Sequence, residues 1–125
     1  MSENRKKDWT RTRIYRELRN AMLADLKNAG LDQPPYVDQV NEYMAAWCLL
    51  RELDADIEAR GIRVEYRNGS QHGMKENESI GSKIRLRGRM DEIFRNLGYA
   101  EKARKARAAA AEAQTAAESE INDDL

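Results

Sequence analysis

The sequence predicts a mainly α fold. A long antiparallel helical hairpin is joined by a basic N-terminal helix, with a short β-hairpin between helices two and three. Three observations carry this. Apolar residues recur at helical spacing in three segments. Pro, Asn and Gly stand where those segments should start and stop. One stretch alternates apolar and polar around an Asn-Gly pair.

Residues 1–8 form a flexible basic arm, and residues 9–30 hold the first helix, expected over about Trp9 to Asn28. Ile14, Tyr15, Leu18, Met22 and Leu26 share one arc, while Arg13, Arg16, Arg19 and Lys27 share the opposite one. Gly30 supplies the stop. One face buries and the other presents cations.

Residues 31–98 form the central helical core and oligomerisation region. Pro34-Pro35 suits a helix start, with Asp32 or Gln33 as the cap. Tyr36, Val40, Tyr43, Trp47, Leu50 and Ile57 recur at alternating spacings of four and three, with Asp54 in the one gap. Val37, Met44 and Cys48 widen the seam beyond what one partner needs. Tyr36, Val40, Tyr43, Trp47 and Leu50 are therefore the expected oligomer interface. Gly61 ends the helix.

The β-hairpin is expected over 62–74. Ile62-Arg63-Val64-Glu65-Tyr66 alternates, Asn68-Gly69 is a favoured two-residue turn, and the chain returns over about Ser70 to Met74. The third helix follows from about Glu78 to Leu97, capped by Asn77 and Gly98. Ile80, Ile84, Leu86, Met90, Ile93, Phe94 and Leu97 lie on one arc. Lys83 and Arg87 fall among these apolar positions, so they must snorkel or line a subunit interface or channel. Residues 99–125 are an Ala-rich helix expected to fray from Glu118 into a disordered acidic tail.

Charge is uneven. The 125 residues hold 22 Lys and Arg against 22 Asp and Glu. Residues 1–20 have seven cations and three acids, 21–82 six and eleven, 83–107 nine and three, and 108–125 none and five. Two basic segments, rich in Arg, suit phosphate, which a guanidinium grips in a bidentate fork. The expected DNA-binding set is Arg5, Lys6, Lys7, Arg11, Arg13, Arg16 and Arg19 in the arm and first helix. Lys83, Arg85, Arg87 and Arg89 of the third helix complete it.

Catalytic chemistry finds no footing. Gly69 to Lys75 has the wrong spacing for a P-loop and no Ser/Thr after the lysine. His72 has no Cys or His partner, so no metal or cofactor is expected. The single Cys48 excludes an internal disulfide, and its place on the apolar arc reads as a packing thiol. Trp9 reads as a hydrophobic staple or an anchor at a subunit contact or DNA. No stretch approaches a membrane span and no signal peptide opens the chain. The reading is of a non-enzymatic, intracellular protein.

The order of pieces resembles the small terminase subunit of tailed bacteriophages. The likeness runs from about Met22 to Arg107. It is carried by Tyr43, Trp47, Leu53, Gly61, Val64, Gly69, Asn77, Lys83, Met90, Leu97 and Gly98. Two departures stand out: Glu78 follows Asn77 where the family often has Pro, and Tyr99-Ala100 follows Leu97-Gly98 where it often has a Ser/Thr-Pro-like start. The resemblance implies a ring-shaped homo-oligomer in the host cytoplasm. Such a ring binds double-stranded viral DNA and regulates the large terminase subunit, which holds the ATPase and nuclease. The Ala-rich segment and acidic tail are then candidates for docking the large subunit. The rival readings are a helical oligomeric adaptor without a packaging role and a DNA-binding regulator.

Overall fold

Thr12 decides where the first helix starts. It is extended, its hydroxyl accepts from the Tyr15 amide at 3.2 Å, and it donates to the Trp9 carbonyl at 2.7 Å. The computed structural model describes residues 7–123. In it the first helix is divided at Thr12: a short 3-10 turn covers Trp9–Arg11 and α1 covers Arg13–Asn28. The expected single helix from Trp9 is thus corrected, because a threonine that caps cannot also continue a helix. At the far end Gly30 takes a φ of 73°. The Leu31 amide reaches the Leu26 carbonyl at 2.8 Å and the Gly30 amide reaches Lys27 at 3.1 Å. This is the Schellman closure that a left-handed glycine permits.

Helix α2 runs Pro34–Arg60. Gln33 holds the cap position, but its side chain donates back to the Gly30 carbonyl instead of capping. Val40, Met44, Ala46, Trp47 and Leu50 are buried and form the centre of the core. Met22 and Leu26 of α1 pack there, and Val64 of the hairpin and Met90 and Ile93 of the third helix are the other buried apolar residues.

Strands β1 (Arg63–Asn68) and β2 (Gln71–Glu76) pair antiparallel, from Arg63 opposite Glu76 to Asn68 opposite Gln71. The turn therefore centres on Gly69-Ser70, one residue later than Asn68-Gly69. Gly69 has a φ of 64° and Ser70 does not have a positive φ. That combination fits a type II′ turn, which wants Gly first. The register also explains Gly73. It sits opposite Tyr66, and a Cβ there would meet the Tyr66 ring at 3.1 Å.

Helix α3 runs Glu78–Asn96 and lies antiparallel to α2, as the pairs Asp54–Lys83 and Glu42–Arg89 require. Its buried stripe is narrower than the apolar arc suggested. Met90 and Ile93 are buried, while Ile84 is exposed. Ile14 of α1 is likewise exposed, because it lies at the edge of an arc whose centre is Met22 and Leu26.

The chain divides into two compact units, up to Ile93 and from Phe94. In the second, the Gly98 amide closes on the Arg95 carbonyl at 2.9 Å and Phe94 stacks on Tyr99 at 4.5 Å. Helix α4 covers Tyr99–Asp123. It passes Glu118, where fraying was expected to begin, because no Gly or Pro follows Gly98 to stop a run of strong helix formers. Among the described residues no helix is long and apolar enough to cross a membrane.

Candidate nucleic-acid interface

Of the expected cations, Arg5 and Lys6 lie outside the described residues. Lys7 sits 4.3 Å over the Trp9 ring. Trp9 in turn meets Trp47 edge to face at 5.8 Å, and Tyr15 approaches the same indole at 6.0 Å. Arg51 covers Trp47 from 5.1 Å. Lys7 and Trp9 are thereby held on α2 by a pair of indoles with a cation at either end, a favourable electrostatic order. Arg51 was not among the expected residues. Its signal was a cation one turn beyond Trp47.

Several expected DNA contacts are ion-paired within the chain. Arg11 meets Asp8 at 3.4 Å and Arg13 meets Glu17 at 2.6 Å. Lys83 meets Asp54 at 2.7 Å. Two sequence misfits explain each other here: the acid in the α2 seam and the lysine in the α3 arc. Lys83 thus makes an intrachain contact.

Other cations are positioned by neutral oxygens, which leave their charge uncompensated by those contacts. Arg16 donates to the Arg11 carbonyl at 3.2 Å, and Arg85 donates to the Ser82 hydroxyl at 3.3 Å. Arg19 donates to Asn41 at 3.2 Å. Arg89, by contrast, is ion-paired with Glu42 at 3.5 Å and Glu92 at 3.4 Å. Asn41 and Glu42 are consecutive and exposed, so α1 and α3 each place a guanidinium on this stretch of α2, on faces about 100° apart. Arg87 is exposed and acts on half-buried Tyr43. Burial pushes the Tyr43 phenol up, and the Arg87 charge opposes that push.

The expected oligomer interface is largely used inside the subunit. Val40, Trp47 and Leu50 are 0%, 9% and 1% exposed. Tyr36 is exposed and Tyr43 half-buried, so these two remain accessible. The wide apolar arc of α2 serves α1 and the short turn before it first. Cys48 is half-buried, and burial pushes its thiol up, away from a reactive thiolate.

Sequence reading missed a polar node at the base of the hairpin. Arg60 grips Asp56 with two bonds of 2.6 and 2.7 Å. Ser79 donates to the same carboxylate at 2.6 Å, and Asn77, wholly buried, adds its amide at 3.3 Å. Arg60, Ser79 and Asn77 hold the Asp56 carboxyl well below the usual carboxylate range. Only the capping role of Asn77 was legible.

The chain matched no protein-family model, no curated protein and no solved structure.

Proposed function

We propose that this chain is the small terminase subunit of a tailed bacteriophage. In this reading it binds double-stranded viral DNA as a ring-shaped homo-oligomer in the host cytoplasm and regulates the large packaging subunit. The observation that carries the DNA part is that Arg16, Arg19 and Arg85 are held by neutral oxygens, which leave their charge uncompensated by those contacts. Guanidiniums on α1 and α3 held in this way suit a phosphate backbone. The order of elements, two helices, a hairpin and a third helix, supports the family reading together with the resemblance in sequence.

Such contacts are sequence-tolerant and salt-dependent, and several subunits multiply them. The test is a titration of long duplex DNA at rising salt, alongside native mass spectrometry. Weakening with salt and a closed oligomer are expected. Salt-independent binding would end the phosphate mechanism, and a strict monomer at micromolar concentration would end the ring.

A further inference from the structure

Of the residues in β1 and β2 only Val64 is buried, and every residue from Glu65 to Glu76 is exposed except half-buried Gly73. Asn68 lies four residues beyond Val64, so the ribbon runs about 13 Å past its last buried side chain. Two cross-strand pairs, Arg67 with His72 and Asn68 with Gln71, stand at the tip on opposite faces. Just below them the Tyr66 ring lies against Gly73, which stiffens the ribbon. From Tyr66 to Lys75 the chain holds Arg67, His72 and Lys75 and no acid. Elsewhere Arg11, Arg13, Lys83 and Arg104 are ion-paired with acids of the chain. Among the described residues, the side chains of Arg67, Asn68, Gln71 and His72 make no hydrogen bond or ion pair within the chain.

We infer that this tip reads base edges in the major groove of duplex DNA. The inference rests on the DNA-binding reading above and adds a sequence-reading element to the phosphate-holding helices. Dimensions choose the groove. A two-stranded ribbon fits a major groove about 12 Å wide and about 8.5 Å deep, but not a minor groove about 6 Å wide. The projection of about 13 Å exceeds that depth, so the tip reaches the bases before the body meets the phosphates. Charge allows the approach, because a tip without acids is not repelled by the phosphates that flank the groove. Chemistry then selects the bases. The carboxamide of Asn68 or Gln71 offers a donor beside an acceptor, the complement of adenine N6 and N7. The Arg67 guanidinium complements guanine O6 and N7 in the same way. Phosphate contacts from α1 and α3 set position, and the hairpin sets sequence.

The test starts from a randomised duplex pool, from which the full chain selects a site; a shuffled duplex of the same composition is the control. Fluorescence anisotropy compares the parent, the double variant Asn68→Ala with Gln71→Ala, and Arg67→Ala on both duplexes. These side chains are exposed, and circular dichroism checks that each variant folds. The parent is expected to prefer its selected duplex by about tenfold or more. The double variant should lose about tenfold on the selected duplex and less than about twofold on the shuffled one. Its slope of log affinity against log salt should match that of the parent, since no phosphate contact is removed. Placing 7-deazaadenine in the site deletes N7 from the major groove alone. It should weaken the parent severalfold and leave the double variant unaffected; 7-deazaguanine should act likewise against Arg67→Ala. Equal losses on both duplexes would overturn the base reading while the DNA reading stands. So would a parent that binds every duplex alike, or one indifferent to both deaza bases. A parent that binds no duplex at low salt would end the DNA reading itself, and this inference with it.

Discussion

The Asn77 side-chain amide donates to the Gly61 carbonyl at 3.0 Å, joining the start of α3 to the end of α2 across the base of the hairpin. The same side chain accepts from the Ser79 amide at 2.9 Å and from Arg60 at 3.0 Å. Its own backbone amide reaches Ile62 at 2.7 Å. One residue thus caps a helix, satisfies a helix end and closes a hairpin. Asn77→Ala would strand the Gly61 carbonyl and the Ser79 amide. The expected loss is about 2–3 kcal/mol, from a lost cap plus buried unpaired groups. Urea unfolding measures it, and a midpoint equal to that of the parent would contradict the node.

Acid should act through Asp56. Its folded carboxyl is held low by Arg60, Ser79 and Asn77, so the unfolded chain takes up the proton first as pH falls. The stabilisation is fully present above the unfolded value of about 4 and is lost progressively as pH drops below it toward the folded value. Asp56→Asn should lower stability at neutral pH and flatten the acid limb of the stability curve below about pH 4. An acid limb as steep as that of the parent would assign the effect to other carboxylates.

How much of this was legible depended on range. Helix spans and stops followed from local rules, because Gly30, Gly61 and Gly98 each take the positive φ that such stops need. The hairpin was legible, but its turn lies one residue later, which moves each cross-strand partner by two, since Asn68-Gly69 and Gly69-Ser70 both make acceptable turns and only pairing decides between them. The candidate site was the least legible part. Periodicity shows which residues share a face, not which face meets which. Arg19 and Arg89 are 70 positions apart, and nothing local brings them to consecutive residues of α2. Excess apolar width in α2 suggested a neighbouring subunit, whereas the chain itself covers Val40, Trp47 and Leu50.

The turn offers a direct check on register. Gly69 holds a φ of 64°, so Gly69→Ala should cost about 1–2 kcal/mol, the steric cost of a left-handed Cβ. Asn68→Ala should cost well under that, because Asn68 is a paired strand residue. Comparable losses at Asn68 and Gly69 would favour a turn centred one residue earlier.

The guanidiniums held by neutral oxygens predict a specific response in DNA binding. Replacing Arg16 and Arg19 together by Ala should weaken binding uniformly across sequences. It should also reduce the slope of log affinity against log salt by about two, one for each lost phosphate contact. Anisotropy titrations at several salt concentrations give both quantities. An unchanged slope would place the phosphate contacts elsewhere in the basic set.

The Lys83–Asp54 pair tests whether a misfit in an apolar pattern signals stability or position. The side chains are 42% and 37% exposed, so water screens their 2.7 Å contact. A double-mutant cycle with Ala at both positions should give a coupling of about 0.2–1 kcal/mol, typical of such pairs. Asp54 fills a gap in an apolar seam and Lys83 lies on an apolar arc, so both sites accept aliphatic side chains. Replacing both by Leu should therefore leave stability equal or slightly higher. Each single Leu variant should be the less stable, since it leaves one charge facing an apolar neighbour. A coupling well above about 1 kcal/mol, or a destabilised double Leu variant, would mean that the pair fixes how α3 lies along α2 and not merely that it is tolerated there.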